Sequence, residues 1–307
     1  MARRNDFGDL LEPGFRKIFD DKFSEIPLQF PSVFTINSSS KQDEKDSAVS
    51  GFGLLTETAE QDPITYEDPL QMFNVSYVHK KYTKGFKVSR EMQEDDQYMV
   101  MNKKPAALGR ASRRTAEYYA AQNFNNAFNT DYTGGDSKPL ASTSHPRADG
   151  GTAQSNANAS GIVLNETNLE TAALAMRGQK DDKGMKIMAK AKTIVVPPAL
   201  EKEAKIIVGS NLRSGQTSTG NVNDLNVYKG QYEIKVLDYL SSETAWFLMD
   251  GALDELNWFW RIKPEFKQGN AFDNDEALYK VRERFSSGWS DWRGFWGSKG
   301  DAGSYTD

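Results

Sequence analysis

One segment sets the terms for the rest of the chain. Residues 105–129 carry the clearest helical pattern, while the stretches around them are short, alternating or polar. Pro105 sits where a first-turn proline is tolerated. Leu108, Ala111, Thr115, Tyr118, Gln122 and Asn125 mark one flank, widened by Tyr119, Phe124 and Phe128. At 1.5 Å per residue such a helix is a rod about 36 Å long. Helical and strand-like segments alternate irregularly on either side of it, which reads as an α+β fold.

Upstream, Leu10, Leu11, Phe15, Ile18, Phe19 and Phe23 fit one or two amphipathic turns, broken at Pro13 and ended by Pro27 and Pro31. Residues 37–50 are polar throughout and read as a solvated linker. Residues 50–89 read as a long two-stranded excursion, with Asp62-Pro63 and Asp68-Pro69 near its far end. Within it Phe73, Val75, Tyr77 and His79 alternate as a strand would. Residues 130–160 form a long loop of Gly, Ser, Asn, Asp and Thr, a length that predicts a task or a partner. Thr167-Asn168-Leu169-Glu170 is a capping box for a helix with Leu169, Ala172, Ala173 and Met176 inward and Gly178 at its C′ position. Thr193 to Val196 reads as a buried strand, and Pro197-Pro198 opens a helix bearing Leu200, Ala204, Ile207 and Val208. After a polar loop at 210–224, strands are predicted around 232–236, 245–249, 258–262 and 279–285.

Composition removes whole classes of chemistry. With no cysteine there are no disulfides, thiolate nucleophiles or cysteine metal sites, and two histidines cannot make a three-histidine zinc centre. A net charge of −5, from 38 basic and 43 acidic side chains, argues against a dedicated nucleic-acid grip. No secretory signal follows Arg3 and Arg4, and no apolar run nears the ~20 residues of a membrane span, so a cytosolic site of synthesis is expected. Ser144-His145-Pro146 places a nucleophile beside a base, but adjacent loop residues seldom face each other; a surface or loop-packing histidine is the plainer account. His79, next to Lys80 and Lys81, reads as a solvated strand position. Gly51-Phe52-Gly53 lacks a third glycine and reads as part of a strand or hairpin. Asp273-Asn274-Asp275-Glu276 lacks calcium-loop spacing and reads as an acidic turn. Trp289, Trp292, Phe295 and Trp296 are expected in a core or an interface. No catalytic, cofactor or metal site is nominated.

Four motifs in order carry a resemblance. Phe73-Asn74-Val75-Ser76-Tyr77 is followed by Gly85-Phe86-Lys87-Val88-Ser89-Arg90-Glu91-Met92-Gln93-Glu94-Asp95-Asp96. Then come Pro139-Leu140-Ala141-Ser142-Thr143-Ser144-His145-Pro146, Thr193-Ile194-Val195-Val196-Pro197-Pro198-Ala199-Leu200-Glu201, and Gly288-Trp289-Ser290-Asp291-Trp292-Arg293-Gly294. Together they resemble the major capsid proteins of tailed bacteriophages, in the branch of Mu-like head subunits. The resemblance implies the tailed-phage major capsid fold: an N-terminal arm over 1–48, an extended hairpin loop over 49–88, a peripheral domain with a spine helix over 89–184, an axial domain over 185–261, and a peripheral C-terminal strand and tail over 262–307. It implies a non-enzymatic subunit that assembles with itself, as hexamers and pentamers, into an icosahedral shell around double-stranded DNA. The shell is put together in the host bacterial cytoplasm with a separate scaffolding protein and a portal, leaves room for a decoration protein, and involves no membrane and no cofactor. The rival readings are an encapsulin-type nanocompartment shell and a hydrolase using Ser144 and His145.

On this reading the contacts between subunits have candidates. Glu57, Glu60, Asp62, Glu67 and Asp68 crowd the far end of the hairpin, and their repulsion calls for cations on a neighbour. Lys80, Lys81, Lys84 and Lys87, or Arg110, Arg113 and Arg114, are the expected answer, against the plain alternative of solvated faces. Phe15 and Phe19 of the arm are expected to pack under a neighbour. Arg3 and Arg4 are the candidates for weak, non-specific contact with packaged DNA. The short arm has no room for a long helical propeptide, so an intact amino terminus is expected in the mature shell.

Overall fold

The computed structural model describes residues 8–69, 71–89, 91–92, 101–211, 225–253, 256–271 and 276–301. Its first element, helix α1 (Gly8–Ser24), continues through Pro13 instead of breaking there. Pro13 lies close to the helix start, where its missing N–H costs a single helical bond. Burial on the far side compensates. Phe15 and Phe19 meet Tyr279 and Phe266 with ring centroids 5.1 and 5.5 Å apart, in a cluster with Val88, Met101, Leu108 and Val281. These two phenylalanines are therefore covered by their own chain and do not wait for a neighbour.

The stretch predicted as a polar linker is mostly strand. β1 (Thr35–Ser38) runs parallel to β8 (Leu256–Ala271) at a sheet edge, and β2 (Asp43–Val49) forms half of a hairpin. Both expose much of their surface, so polar side chains that suggest a linker are compatible with these strands. β2 pairs antiparallel with β3 (Gln71–Val78), from Asp43 opposite Val78 to Val49 opposite Gln71. The excursion thus starts earlier and ends sooner than its predicted limits at 50 and 89. β4 (Lys80–Val88) belongs to another sheet, paired with β9 (Glu276–Trp289). Only His79 separates β3 from β4, with no glycine or proline to announce the change of sheet. Gly51-Phe52-Gly53 lies in the irregular loop beyond the hairpin strands, not in a strand.

The long helix is α2 (Lys103–Asn125). Its buried line is Pro105, Leu108, Gly109, Ser112, Ala116, Ala120 and Phe124, rotated from the predicted flank. The larger Tyr118 mimicked an inward position but points outward, while small residues let α2 lie close to its neighbours. A Cβ at Gly109 would stand 2.6 Å from the Phe19 carbonyl oxygen, so the crossing of α1 and α2 requires glycine. α2 packs on the sheet ordered β1-β8-β9-β4, around Phe30, Phe34, Phe124, Trp258 and Phe285.

The second sheet has the order β10-β7-β5-β6, from β10 (Phe295–Ser298), β7 (Trp246–Met249), β5 (Thr193–Val196) and β6 (Glu233–Val236). Helices α3 (Glu166–Arg177) and α4 (Glu201–Gly209) bury Leu169, Met176, Ala204 and Ile207 around Trp246, Leu248 and Trp296. Asn165, not Thr167, caps α3: its side chain accepts from the Asn168 N–H at 2.8 Å. Gly178 keeps a right-handed φ of −81°, so it is not a left-handed stop. The sheets cut across the expected domain limits, since β8 starts at Leu256 and β10 returns from the end of the chain. The loop over 130–160 is pinned inside, with Leu140, Ala141, Ser142, His145 and Asn156 buried.

Where α2 meets β9, the packing encloses a carboxyl. Glu283 is 2% exposed, and one oxygen accepts from the Ser112 hydroxyl at 2.9 Å. Burial pushes its pKa up to about 7, with the Ser112 bond pulling the other way. The folded state therefore holds this proton more tightly than the unfolded chain does. Stability contributed by the neutral form is intact below about pH 4.5 and is lost as pH rises through about 7. Glu283→Gln is expected to match the parent in acid and exceed it at pH 8 by on the order of 3 kcal/mol. Urea unfolding at the two pH values measures this; an equal difference at both would contradict it.

Candidate assembly interface

The rival reading of Ser144 and His145 as a catalytic pair finds no such arrangement in the structure. His145 is fully buried, with its ring stacked on Trp292 at a centroid distance of 4.2 Å. Nδ1 lies 2.6 Å from Asp136 Oδ2 and Nε2 lies 3.0 Å from Asn156 Oδ1. The Asn156 amide is oriented by donating to the Leu140 carbonyl at 2.8 Å, while its oxygen also accepts from the Ser142 N–H at 2.8 Å. Both imidazole nitrogens are thus engaged, and neither is free to take a proton from Ser144. His145 is an interior histidine rather than a surface one. His79, expected to be solvated, is buried as well. Among the described residues no cluster of three or more His, Asp or Glu is arranged to hold a metal ion. No described helix is long and apolar enough to cross a membrane.

Among the described residues, the hairpin end is the longest continuously exposed stretch. Glu57, Glu60, Asp62, Glu67 and Asp68 all lie on the loop between β2 and β3. One of them is answered within the chain: Glu67 accepts from Lys183 Nζ at 2.6 Å and from the Gly53 N–H at 2.9 Å. The Lys183 bond, then the Gly53 bond, lowers the pKa of this exposed carboxyl. Lys183 has no place among the predicted cations because it lies 116 residues away in sequence. Lys80, Lys81 and Lys84 are exposed on edge strand β4, and Lys87 pairs with Glu276 at 2.9 Å. Arg110 and Arg114 are exposed on α2. Arg113 is not available to a neighbour: its guanidinium donates to the Ile26 and Pro27 carbonyls at 2.8 and 2.6 Å. Those carbonyls follow the end of α1, where chain direction leaves them without helical partners. Arg3, Arg4, residues 93–96 and Asp273-Asn274-Asp275 lie outside the described residues.

The same loop carries a feature that the charge pattern hid. Phe52, Leu54, Leu55, Ile64 and Tyr66 are all largely exposed, with Leu55 at 98%. They are interspersed with carboxylates, so the segment reads as acidic, whereas its large side chains form an uncovered apolar ribbon.

The sequence profile of the family described as phage capsid protein matches residues 74–297. The chain belongs to the phage capsid protein family. It is a structural subunit of the virion shell and not an enzyme. Solved structures agree on the fold. The procapsid of bacteriophage JBD30 aligns with 94% of this chain and 74% of its own, at 19% identity and a TM-score of 0.51. The capsid of Ralstonia phage GP4 covers 90% and 88% at 8% identity, with a TM-score of 0.57. The virus-like particle from Pyrococcus furiosus covers 92% and 97% at 9% identity, with a TM-score of 0.54. At these identities the likeness is one of fold, the α+β major capsid fold. No curated protein sequence matches the chain.

Proposed function

We propose that this capsid subunit is the major head protein of a Mu-like tailed phage, closing as hexamers and pentamers into an icosahedral shell around double-stranded DNA. The observation that carries self-assembly is the exposure of Phe52, Leu54, Leu55, Ile64 and Tyr66 at the end of the hairpin. A monomer gains nothing from holding such side chains in water, whereas a second copy can cover them. The four sequence motifs support the Mu-like branch. The division into arm, hairpin loop, peripheral and axial domains is proposed with it, with the hairpin taken from Asp43 to Val78 and β10 counted with the axial sheet, as are a separate scaffolding protein and a portal. A JBD30 capsid has been solved decorated with minor capsid protein trimers, and we extend a decoration partner to this chain on the same basis. Glu57, Glu60, Asp62, Asp68, Lys80, Lys81, Lys84, Arg110 and Arg114 remain the proposed charged contacts, while Arg3 and Arg4 remain the proposed weak DNA contacts. A net charge of −5 fits loose, salt-sensitive contact with the genome.

The likeness to a virus-like particle favours one second reading, an encapsulin-type compartment with protein cargo. Negative-stain microscopy of the purified protein tests the main proposal: shells, tubes or rings are expected. A monomer that never assembles, with or without scaffolding protein, would overturn it, and shells filled with protein instead of DNA in the native host would favour the compartment.

A further inference from the structure

His79 occupies an unusual joint. The strand before it, β3, belongs to the hairpin, and the strand after it, β4, is the edge of the main sheet; His79 alone connects them. Its side chain is 6% exposed and shares a 2.9 Å hydrogen bond between Nδ1 and the Ser286 hydroxyl of β9. Nε2 is buried without a hydrogen-bond partner among the described residues. The direction of the Ser286 bond does not repair this. If Nδ1 accepts, Nε2 carries a proton with no acceptor; if Nδ1 donates, Nε2 presents a lone pair with no donor.

Charged groups surround the ring from each packed strand. Glu44 and Asp43 of β2 favour a protonated imidazole, whereas Arg284 of β9 and Arg261 of β8 oppose it. Burial outweighs all of them and pushes the His79 pKa down. The second link between hairpin and body, residues 39–42, is tied into the same group. The Ser39 hydroxyl and Lys41 Nζ donate to Glu44 at 2.7 and 3.0 Å, and Arg261 Nε donates to the Lys41 carbonyl at 3.0 Å.

We infer that His79 is a proton-sensitive pivot which releases the hairpin from the body of the subunit when it is protonated. The reason is linkage. In any conformation that swings the hairpin away and hydrates His79, the ring binds a proton with ordinary affinity; in the packed conformation it binds one poorly. Acid therefore shifts the population toward the released hairpin, by at most tenfold per pH unit for one proton. Near neutrality the pivot is uncharged and the hairpin stays seated.

The chain has only two histidines, so their proton resonances can be assigned with one variant, His79→Gln. Amide exchange of the full-length subunit, corrected for intrinsic rates, is followed from pH 7.5 to 5. Protection at Ser39, whose N–H donates to the Trp260 carbonyl of β8 at 2.9 Å, is expected to fall as the His79 resonance titrates, and to become independent of pH in His79→Gln. Two charge variants give a second readout should His79→Gln fold poorly. By the same linkage, Glu44→Gln makes the packed ring still harder to protonate and is expected to move the midpoint of release to higher pH, whereas Arg284→Gln is expected to move it to lower pH. Protection that is constant across this range, that falls equally in His79→Gln, or that keeps the same midpoint in both charge variants would overturn the inference.

Discussion

Asp136→Ala is expected to cost about 1–3 kcal/mol of folding stability, the scale for leaving a buried hydrogen-bonding group without its partner. The geometry around His145 explains the size of the effect. The Nε2 proton is directed to Asn156 Oδ1, whose amide is already fixed by its bond to the Leu140 carbonyl. A hydrogen bond of 2.6 Å between Nδ1 and Asp136 Oδ2 occupies the other ring nitrogen inside the protein. Without Asp136, the ring keeps one buried nitrogen that has lost its hydrogen bond. The loss spreads because this pair closes the 130–160 loop. Asp136 also accepts from the Lys138 N–H at 3.1 Å, and His145 exchanges backbone hydrogen bonds with Gln154 at 2.7 and 2.9 Å. Urea unfolding followed by tryptophan fluorescence is the measurement, since Trp292 stacks on the affected ring. Asp136→Asn, which keeps a side-chain oxygen, is expected to lose less. A change below about 1 kcal/mol in Asp136→Ala would show that the pair contributes no more than an exposed one.

The buried parts of the fold were the parts legible in the sequence. Thr193 to Val196, Ala245 to Met249 and the alternation through Tyr279, Val281 and Phe285 mark strands whose inward side chains are apolar, and all three are strands. Trp292, Phe295 and Trp296 fill the interior as their size suggested. The errors fall where burial involves polar residues or where strands are wet. β2 has the sequence Asp-Glu-Lys-Asp-Ser-Ala-Val, which shows no inward face because much of it stays exposed. His79 reads as solvated because its partner Ser286 is brought to it only by the fold, whereas His145, open to a surface or a loop-packing role, packs the loop through Asp136 and Asn156. Phe15 and Phe19 were correctly seen as needing cover, yet nothing local says whether the cover comes from the same chain. The apolar ribbon of the hairpin is hidden in the sequence by the five carboxylates interspersed with it.

That ribbon gives the largest expected change of all. Replacing Leu54 and Leu55 together with serine is expected to leave the subunit folded and to abolish shell formation under conditions where the parent assembles. Leu54 is 80% exposed and Leu55 is 98% exposed, so the monomer loses almost no buried surface in the exchange. In a shell, each leucine covered by a neighbour contributes roughly 1.5–3 kcal/mol. A closed particle repeats that contact at every subunit, so a modest loss per contact becomes decisive for assembly. Serine is chosen over aspartate because the loop is already acidic; it removes the apolar area without adding charge. Charge reversal at Glu60 and Asp62 separates the two ways in which the tip can dock. If electrostatics dominate, Glu60→Lys with Asp62→Lys disrupts assembly and its effect weakens in salt near 1 M, where exposed charges are screened beyond about 3 Å. If the ribbon dominates, the charge variant assembles and the serine variant does not, at any salt. Light scattering and electron microscopy score both, with circular dichroism confirming that each monomer is folded. Normal shells from the double serine variant would mean that the ribbon is not an assembly contact, whatever the charges around it do.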